Sequence, residues 1–328
     1  MTRVLIPNGA IGLGFDKSAL WRGVDMQPDA ICVDGGSTDS GPHYLGTGTS
    51  KYSRAATIAE WRILMQAHAK LGVPLIVGTA GTCGTDSTVD WMYRITCDLA
   101  AELKQSVKIA RLYSSQDAEW LAGKLDHIAP LWPEMPVSHE ILSGCTNIVA
   151  LAGAEHITAA LQTGADIIIA GRTTDTATIA ALPLLNGDHA GGAWHGAKIG
   201  ECGALCSTNP TSGVIVIDFD DQGFTVQPMA DGAICTPQSV AAHMLYENTD
   251  PDILSEPGGH LDVTAATYSQ LDTRTVRVTG SNWVPSDRYT VKLEGARRAA
   301  LDLSRNCSAP LTWYSATKER HHGTETNP

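Results

Sequence analysis

The sequence predicts an α/β protein: a three-layer, doubly wound, mostly parallel sheet with a smaller β-rich α+β second portion. Up to about residue 211, short apolar segments rich in β-branched residues alternate with helical patterns, as is typical of parallel strands that helices cover on both faces. From Val214 onward strand patterns dominate, and one helix interrupts them with Thr236 as N-cap and Pro237 as first residue. We therefore expect an α/β domain at residues 1–211, an α+β portion packed on it at 212–298, and an atypical, irregular tail at 299–328.

The elements of the first domain follow from apolar periodicity and from the residues that end each run. Strands are predicted at the short apolar runs, residues 3–7, 30–34, 73–77, 107–112 and 166–170. Helices are predicted where apolar residues recur three and four positions apart, in residues 55–71, 88–104, 115–125 and the first part of 153–182. The glycine- and histidine-containing segment 186–196 is interpreted as a connection, and residues 198–206 as a helical turn or loop.

The segment 153–182 contains the clearest candidate for a ligand site. A helix, a turn at Gly164 and a buried strand lead into Gly171, Arg172, Thr173 and Asp175, which open the next helix. Backbone N–H groups and the helix dipole favour anions at such a strand end, and the planar guanidinium suits a carboxylate or phosphate. In the alternative interpretation, Arg172 and Asp175 pair with each other and cap the helix.

A second glycine-rich loop follows the strand at residues 73–77. Its glycines allow successive backbone amides to point inward as an anion-binding nest, and a helix follows with Asp86 or Ser87 as N-cap. No lysine follows the glycines, so the loop is not a Walker motif. The residues predicted to contact an anionic substrate here are Gly81, Thr82, Cys83, Gly84, Thr85 and Asp86.

Acid–base groups are expected in loops that share the carboxyl edge of the sheet. Asp39 and His43 lie in the long glycine-containing loop after Asp34, which otherwise reads as a plain surface loop, and Asn147 lies in a polar turn. Glu201 is the carboxylate of the segment 198–206. The predicted catalytic residues are Asp39, His43, Asp175 and Glu201, with Asn147, Gly171, Arg172 and Thr173 as further substrate contacts.

Composition excludes several classes of protein. The chain has 328 residues with a formal net charge of −12, so a basic face for nucleic acid is not expected. No apolar run is long enough to span a membrane, no nucleotide-binding motif is present, and eight cysteines without a CxxC pair favour free thiols in the cytoplasm. No metal-ligand motif is assigned, although oxygen ligands of the kind that Mg²⁺ takes are present: Asp34, Asp39, Asp86, Asp175 and Glu201.

Four segments resemble one family. They are GAEHITAALQTGADIIIAGRTTDTATIAAL (153–182), IGECGAL (199–205), DGAICTPQSVAAHMLYENTDPDILSEP (231–257) and RTVRVTGSNWVPSDRYTVKLEG (274–295). The first resembles the GAEPI…AL…GADIVITGR…D pattern of the acyclic terpene utilization (AtuA) family, and weaker similarity continues through the glycine-rich loops of the first half. The resemblance implies a place near acyl-thioester and carboxylate catabolism. It stops near residue 295, as a truncated or frame-altered tail would explain.

Three functions follow as expectations. The first is a catabolic enzyme that acts on a small carboxylate or acyl thioester by lyase, hydratase or isomerase chemistry, as a homo-oligomer. The second is a non-catalytic binding or assembly subunit of a multi-subunit acyl-thioester enzyme. The third is a cofactor-independent racemase or isomerase with paired cysteines, because SGCTN around Cys145 resembles the cysteine turn of such racemases and Cys83 lies in another glycine-rich loop.

Overall fold

A computed structural model of the chain describes residues 1–131 and 136–297, together with the backbone of one strand at Tyr314–Thr317. The predicted tail at 299–328 lies outside the described residues apart from that strand. The strands of the described part are β1 (Thr2–Ile6), β2 (Ala30–Asp34), β3 (Leu75–Gly78), β4 (Ile109–Leu112), β5 (Ala129–Pro130), β6 (Asn147–Ala150), β7 (Ile167–Ala170), β8 (Ile215–Phe219), β9 (Gly223–Pro228), β10 (Ile253–Glu256), β11 (Gly259–Asp262), β12 (Thr267–Gln270), β13 (Val276–Thr279), β14 (Asn282–Pro285), β15 (Lys292–Ala296) and β16 (Tyr314–Thr317). The helices are α1 (Lys17–Asp25), α2 (Pro42–Thr47), α3 (Arg54–Leu71), α4 (Asp86–Leu103), α5 (Ala118–Ala122), α6 (His139–Ser143), α7 (Ala154–Gln162), α8 (Ala177–Leu185), α9 (Ala190–Gly200) and α10 (Pro237–His243).

A nine-stranded sheet forms the centre of the molecule, in the order β12-β13-β9-β8-β1-β2-β3-β7-β4. The neighbours β1, β2, β3, β7 and β4 run parallel, whereas β8, β9, β13 and β12 continue the same sheet in antiparallel pairs. The predicted α/β class with a large central sheet is thus confirmed. Strand β8 lies after the boundary predicted at residue 212 but pairs with β1, so strands from both sides of that boundary belong to one sheet.

Helices cover both faces of the sheet and give it three layers. One face packs α7, α8 and α9 against apolar side chains such as Ile76 and Ile168, and the other packs α1, α3 and α4 against side chains such as Ile31 and Val77. The parallel strands β2, β3 and β7 are buried along their whole length, as strands covered on both faces must be.

Two smaller antiparallel sheets stand beside the central one, in the orders β10-β11-β14 and β5-β16-β15-β6. Strand β6, which follows the polar turn at residues 144–147, pairs with β15 and not with the parallel strands. The turn at residues 144–147 therefore leads into a strand of the sheet β5-β16-β15-β6, and it does not belong to the carboxyl edge of the central sheet.

The segment 186–196, predicted to be a connection, is largely helix α9. Residues 191–200 of α9 are all buried. A Cβ added to Gly192 would lie 2.6 Å from the Cα of Gly223, so the glycine lets the helix backbone approach β9 directly. The prediction was wrong because glycine has low helix propensity and because a helix buried on every side lacks amphipathic periodicity.

The long loop after β2 also contains more regular structure than its composition predicts. A 3-10 turn at Thr38–Ser40 and helix α2 (Pro42–Thr47) occupy most of residues 38–47. Within the described residues, no helix combines the length and the hydropathy that a membrane span requires.

Candidate functional site

The carboxyl ends of three parallel strands meet at a cleft. Asn8 follows β1, Asp34 ends β2, and Asp175 lies between β7 and α8. These are the positions at which open α/β sheets generally bind ligands, because the loops there surround a crevice. The convergence of β2 and β7 at this edge is the arrangement that the sequence predicted.

Asp34 and Asp175 form a carboxyl pair at the floor of this cleft. Asp34 is 6% exposed and accepts a hydrogen bond from the Gly36 amide at 3.2 Å. Burial, together with the charge of the neighbouring Asp175 and a hydrogen bond to it, raises the pKa of Asp34 well above its usual value. Asp34 therefore loses its proton less readily than an exposed carboxyl group does.

Arg172 lies under the pair and is itself buried, with 4% of its surface exposed. Its Nη1 donates to Asp175 Oδ1 at 3.1 Å, and its Nε donates to Glu294 Oε2 at 3.0 Å. The remaining hydrogen bonds go to Thr79 Oγ1, the Thr173 carbonyl, Thr38 Oγ1 and Glu294 Oε1. The guanidinium fork is thus occupied by carboxylates and hydroxyls of the chain itself, and it orients Asp175.

Glu294 is the main counter-ion of Arg172. It is 1% exposed, and it also lies 2.8 Å from Lys292 Nζ. Although burial alone would raise it, the charges of Arg172 and Lys292 lower the pKa of Glu294 to about 2. This carboxylate is charged throughout the physiological range.

A second ion pair lies at the carboxyl end of α9. Lys198 Nζ donates to Glu201 Oε1 at 2.5 Å, and both side chains are 5% exposed. Burial raises the pKa of Glu201 to about 8 against the opposing effect of Lys198, with nearby Asp175 adding to the increase. Glu201 therefore takes up a proton more readily than an exposed glutamate does, and the pair can take part in acid–base chemistry.

The cleft has two compartments. The first basin has a volume of about 550 Å³ and is lined by Asn8, Gly9, Ala10, Leu13, Gly14, Asp34, Gly36, Ser37, Asp39, Ser40, Lys51, Tyr52, Asp175, Glu201, Cys202, Leu205, Pro210, Thr211, Gly213, Tyr246 and Glu247. The second basin has a volume of about 400 Å³ and is lined by Asp39, Leu151, Arg172, Thr174, Asp175, Thr176, Lys198, Glu201, Glu247, Asn248, Leu254, Ser255, Glu256 and Lys292. Four acidic residues form a wall common to both: Asp39, Asp175, Glu201 and Glu247.

Two buried acceptors in these basins have no hydrogen-bond partner among the described residues: Asn8 Oδ1 and Glu256 Oε2. Glu256 is 8% exposed, and its other oxygen accepts from Thr176 Oγ1. Burial raises the pKa of Glu256 to about 7. Unsatisfied buried acceptors are uncommon in folded proteins, so both atoms are suited to contact a ligand.

The structure brings some of the predicted site residues together. Asp39, Asp175 and Glu201 line both basins, and Arg172 lines the second. His43 lies outside the lining of either basin, exposed on α2. The catalytic roles assigned to Asp39, His43, Asp175 and Glu201 stay predictions.

The loop at residues 81–85 does not line the cleft. Its residues are buried, and the amides of Thr82, Cys83 and Gly84 donate to the carbonyls of Gly35, Gly81 and Ala80. The Arg172 amide in turn donates to the Gly84 carbonyl at 3.1 Å. In this arrangement the loop supports the backbone of Arg172, and these three amides are not directed at an anion. The N-cap of α4 is Thr85, one residue before the predicted Asp86.

The other predicted contacts also serve the fold. Asn147 Nδ2 donates to the Leu45 carbonyl at 2.7 Å, and the Gly171 amide donates to the Leu112 carbonyl. Asp86 exchanges hydrogen bonds with Ser115 through its amide and its carboxylate. Thr173 is fully buried and lines a separate cavity of about 330 Å³ beside β4.

The two cysteines of the racemase alternative pack in different apolar clusters. Cys83 is buried with Leu45 and Val149, whereas Cys145 is half-buried against the cluster that contains Leu142. Neither lines the first or the second basin.

Four residues of this site were not predicted from the sequence: Lys198, Glu256, Glu294 and Asn8. Two signals were present in the sequence: Lys198 lies one helical turn before Glu201, and Glu294 is a lone carboxylate inside an otherwise apolar strand end. Over the residues that the structure describes, no group of three or more His, Cys, Asp and Glu side chains is arranged to hold a metal ion.

The similarity to known proteins comes from a family model. The model of the acyclic terpene utilisation family protein AtuA matches residues 51–304, which include Arg172, Asp175, Glu201 and Glu294. No curated protein and no solved structure matches the chain. The family match covers most of the chain and agrees with the resemblance of its motifs, so the chain belongs to the acyclic terpene utilisation family, AtuA.

Proposed function

We propose that this protein is a catabolic enzyme that moves protons on a small carboxylate or its acyl thioester, by lyase, hydratase or isomerase chemistry. The observation that carries the proposal is the Asp34–Asp175 carboxyl pair at the carboxyl edge of the parallel sheet, in which Asp34 is buried and Asp175 is partly exposed. The family is named for the utilisation of acyclic terpenes, and that name supports a place in catabolism.

The pair has the chemistry that a general acid and base require. Burial and the neighbouring Asp175 raise the pKa of Asp34 well above its usual value, and Asp175, which lines the same cleft, accepts a hydrogen bond from Arg172. Two neighbouring carboxyl groups in different environments can divide the acid and base roles, so that one accepts a proton from one atom of a substrate and the other donates one to another atom. Glu201, whose pKa is raised to about 8, is a further acid–base group on the common wall.

One cation of the second basin is open to a substrate. Arg172 and Lys198 are paired with carboxylates of the chain, whereas the Lys292 side chain is 40% exposed. An ammonium has three N–H donors, so Lys292 can bind a carboxylate or a phosphate of a coenzyme A ester while it remains paired with Glu294. An anion bound there would lie next to Asp175, which lines the same basin.

Proton abstraction can be tested before the natural substrate is known. The protein would be incubated in D₂O with short carboxylates and with their coenzyme A esters, and deuterium at the α-carbon would be followed by mass spectrometry. We expect exchange with the wild type and a decrease of roughly 10²–10⁴-fold with Asp34→Asn, which keeps the shape of the protonated carboxyl but cannot transfer its proton. Asp231→Asn, at a position 87% exposed and outside both basins, is the matched control. Exchange that survives Asp34→Asn would contradict the proposal.

We also propose that the enzyme works in the cytoplasm as a homo-oligomer. The seven described cysteines are free thiols, which suits a reducing compartment. Large apolar side chains are exposed close to the first basin, among them Leu13, Leu205 and Leu245. Sedimentation velocity would measure the assembly, and a monomer at all concentrations would contradict this part of the proposal.

A further inference from the structure

The first basin differs from the second in charge. Among the described residues that line the two basins, each basin has five acidic ones, but the first has one basic residue, Lys51, and the second has three. Lys51 Nζ donates to a neutral group, Ser40 Oγ, at 3.1 Å. The first basin therefore has the larger excess of acidic residues and is suited to a ligand group of positive charge.

An unpartnered acceptor in the same basin points to a hydrogen-bond donor on the ligand. Asn8 is 3% exposed, and its Nδ2 donates to the Gly14 carbonyl at 3.3 Å and to Glu60 Oε2 at 3.2 Å. These two bonds fix the orientation of the amide, so its Oδ1 is an acceptor, and that oxygen has no partner among the described residues.

An organic cation makes weaker geometric demands on its acceptors than a metal ion does. The described His, Cys, Asp and Glu side chains include no group arranged to bind a metal ion, which would need oxygens at about 2.0–2.6 Å from one point. An ammonium needs acceptors only at about 2.7–3.2 Å from its nitrogen, and it also binds to aromatic faces. Tyr52 and Tyr246 line the basin, and Lys51 Nζ already lies 5.7 Å from the centre of the Tyr52 ring.

We propose that the first basin binds a primary ammonium group, with Asn8 Oδ1 and the carboxylate of Asp39 as acceptors. The assignment of this ammonium group to the substrate rests on the proposed function. The substrate is then a carboxylate or acyl thioester that also bears an amine. The ammonium lies in the first basin and the anionic end in the second.

The test uses n-butylammonium as the probe and butan-1-ol as its uncharged counterpart, with binding followed by calorimetry or ligand-detected NMR on the full chain. We expect the ammonium to bind and the alcohol not to bind at the same concentration, with affinity that falls as salt rises. Lys51→Met removes the one competing cation from an exposed position and should tighten butylammonium binding by about 3- to 10-fold. Asp39→Asn should weaken it by a similar factor.

Asn8→Leu, which removes the unpartnered oxygen, should also weaken binding. Asn8 also binds the Gly14 carbonyl and Glu60, so that variant could fail to fold. In that case the butylammonium affinity of Lys51→Met tests the inference. Equal binding of the alcohol, no tightening in Lys51→Met, or tighter binding of Mg²⁺ than of butylammonium would each overturn the inference. Deuterium exchange without ammonium binding would remove the inference alone, and ammonium binding without exchange would remove the catalytic proposal alone.

Discussion

The guanidinium of Arg172 connects Asp175, which lines the cleft, with Glu294, which does not. Asp175 lies three residues away and Glu294 lies 122 residues away, and all three side chains share one buried network. A buried arginine is stable there because its N–H groups are matched by acceptors and its charge by two carboxylates. The role of Arg172 in substrate binding stays a prediction, and the structure adds a role in holding Asp175.

Glu294→Gln is expected to destabilise the protein, because it removes the main counter-ion of a buried cation. Breaking a buried ion pair costs about 3–5 kcal/mol of the free energy of unfolding, which urea titration at pH 7 would measure. The matched control is Glu102→Gln, which breaks the exposed bidentate pair with Arg62 and should have a much smaller effect.

The effect of Glu294 should also depend on pH. Its folded-state pKa is depressed to about 2, from an ordinary value of 4.5. Its contribution is therefore present above about pH 4.5 and lost as pH falls through about 2. A difference between wild type and Glu294→Gln that stays constant from pH 7 to pH 2 would contradict this assignment.

At the scale of elements, glycines decide how closely loops and helices approach the strand ends. The loop at residues 81–85 packs on the segment that carries Arg172, and Gly84 combines a φ of +63° with direct backbone contact. A Cβ at Gly84 would lie 2.2 Å from the Arg172 amide nitrogen. The position of Arg172 thus depends on a residue without a side chain 88 positions earlier in the sequence.

Gly84→Ala should therefore be severely destabilising. A control is available in Gly187→Ala, which has a similar φ of +79° but no heavy atom within 4 Å of the added Cβ. The control should cost about 1–2 kcal/mol for the left-handed backbone alone, and Gly84→Ala should cost about 1–3 kcal/mol more for the overlap. Equal midpoints in urea unfolding would show that the loop can move away from Arg172.

Over the whole molecule, buried carboxyl groups with raised pKa values set the dependence of stability on pH. Glu201 and Glu256 have pKa values of about 8 and about 7 in the folded state, against an ordinary value of 4.5. Each stabilises the fold fully below about pH 4.5, and that contribution is lost as pH rises through its folded-state pKa. Buried His195 and His243 act in the opposite sense, because burial lowers their pKa values to about 3 and about 4. Their contribution is present above about pH 6.5 and is lost as pH falls through these values.

Between pH 7 and pH 8 the two histidines are largely neutral in both states, so the buried carboxyl groups contribute more than the histidines do to the pH dependence of stability. We expect the free energy of unfolding to decrease over this range in the wild type. In Glu256→Gln the decrease should be smaller, because one of the titrating groups is gone. Urea unfolding at half-unit steps would measure both slopes, and parallel slopes would show that Glu256 does not titrate there.

The sequence predicted the fold more completely than the site. Short β-branched runs identified β2 and β7, and local periodicity identified α3 and α4 to within two residues. It also selected Asp39 and Asp175, because polar residues after parallel strands share an edge, and Glu201, as the carboxylate of the segment 198–206. It misread α9, because a helix that is buried on all sides carries no amphipathic pattern.

What the sequence by itself determined is the set of local elements, the family, and the acidic groups that meet at the end of the parallel strands. The tertiary structure alone decided which partner each of these groups has. Glu294 closes the network of Arg172 from a strand of another sheet, and the amides of residues 82–84 turn inward to carbonyls of the chain. The reason is physical: periodicity and capping act within a few residues, whereas desolvation and charge pairing depend on the three-dimensional packing of distant segments.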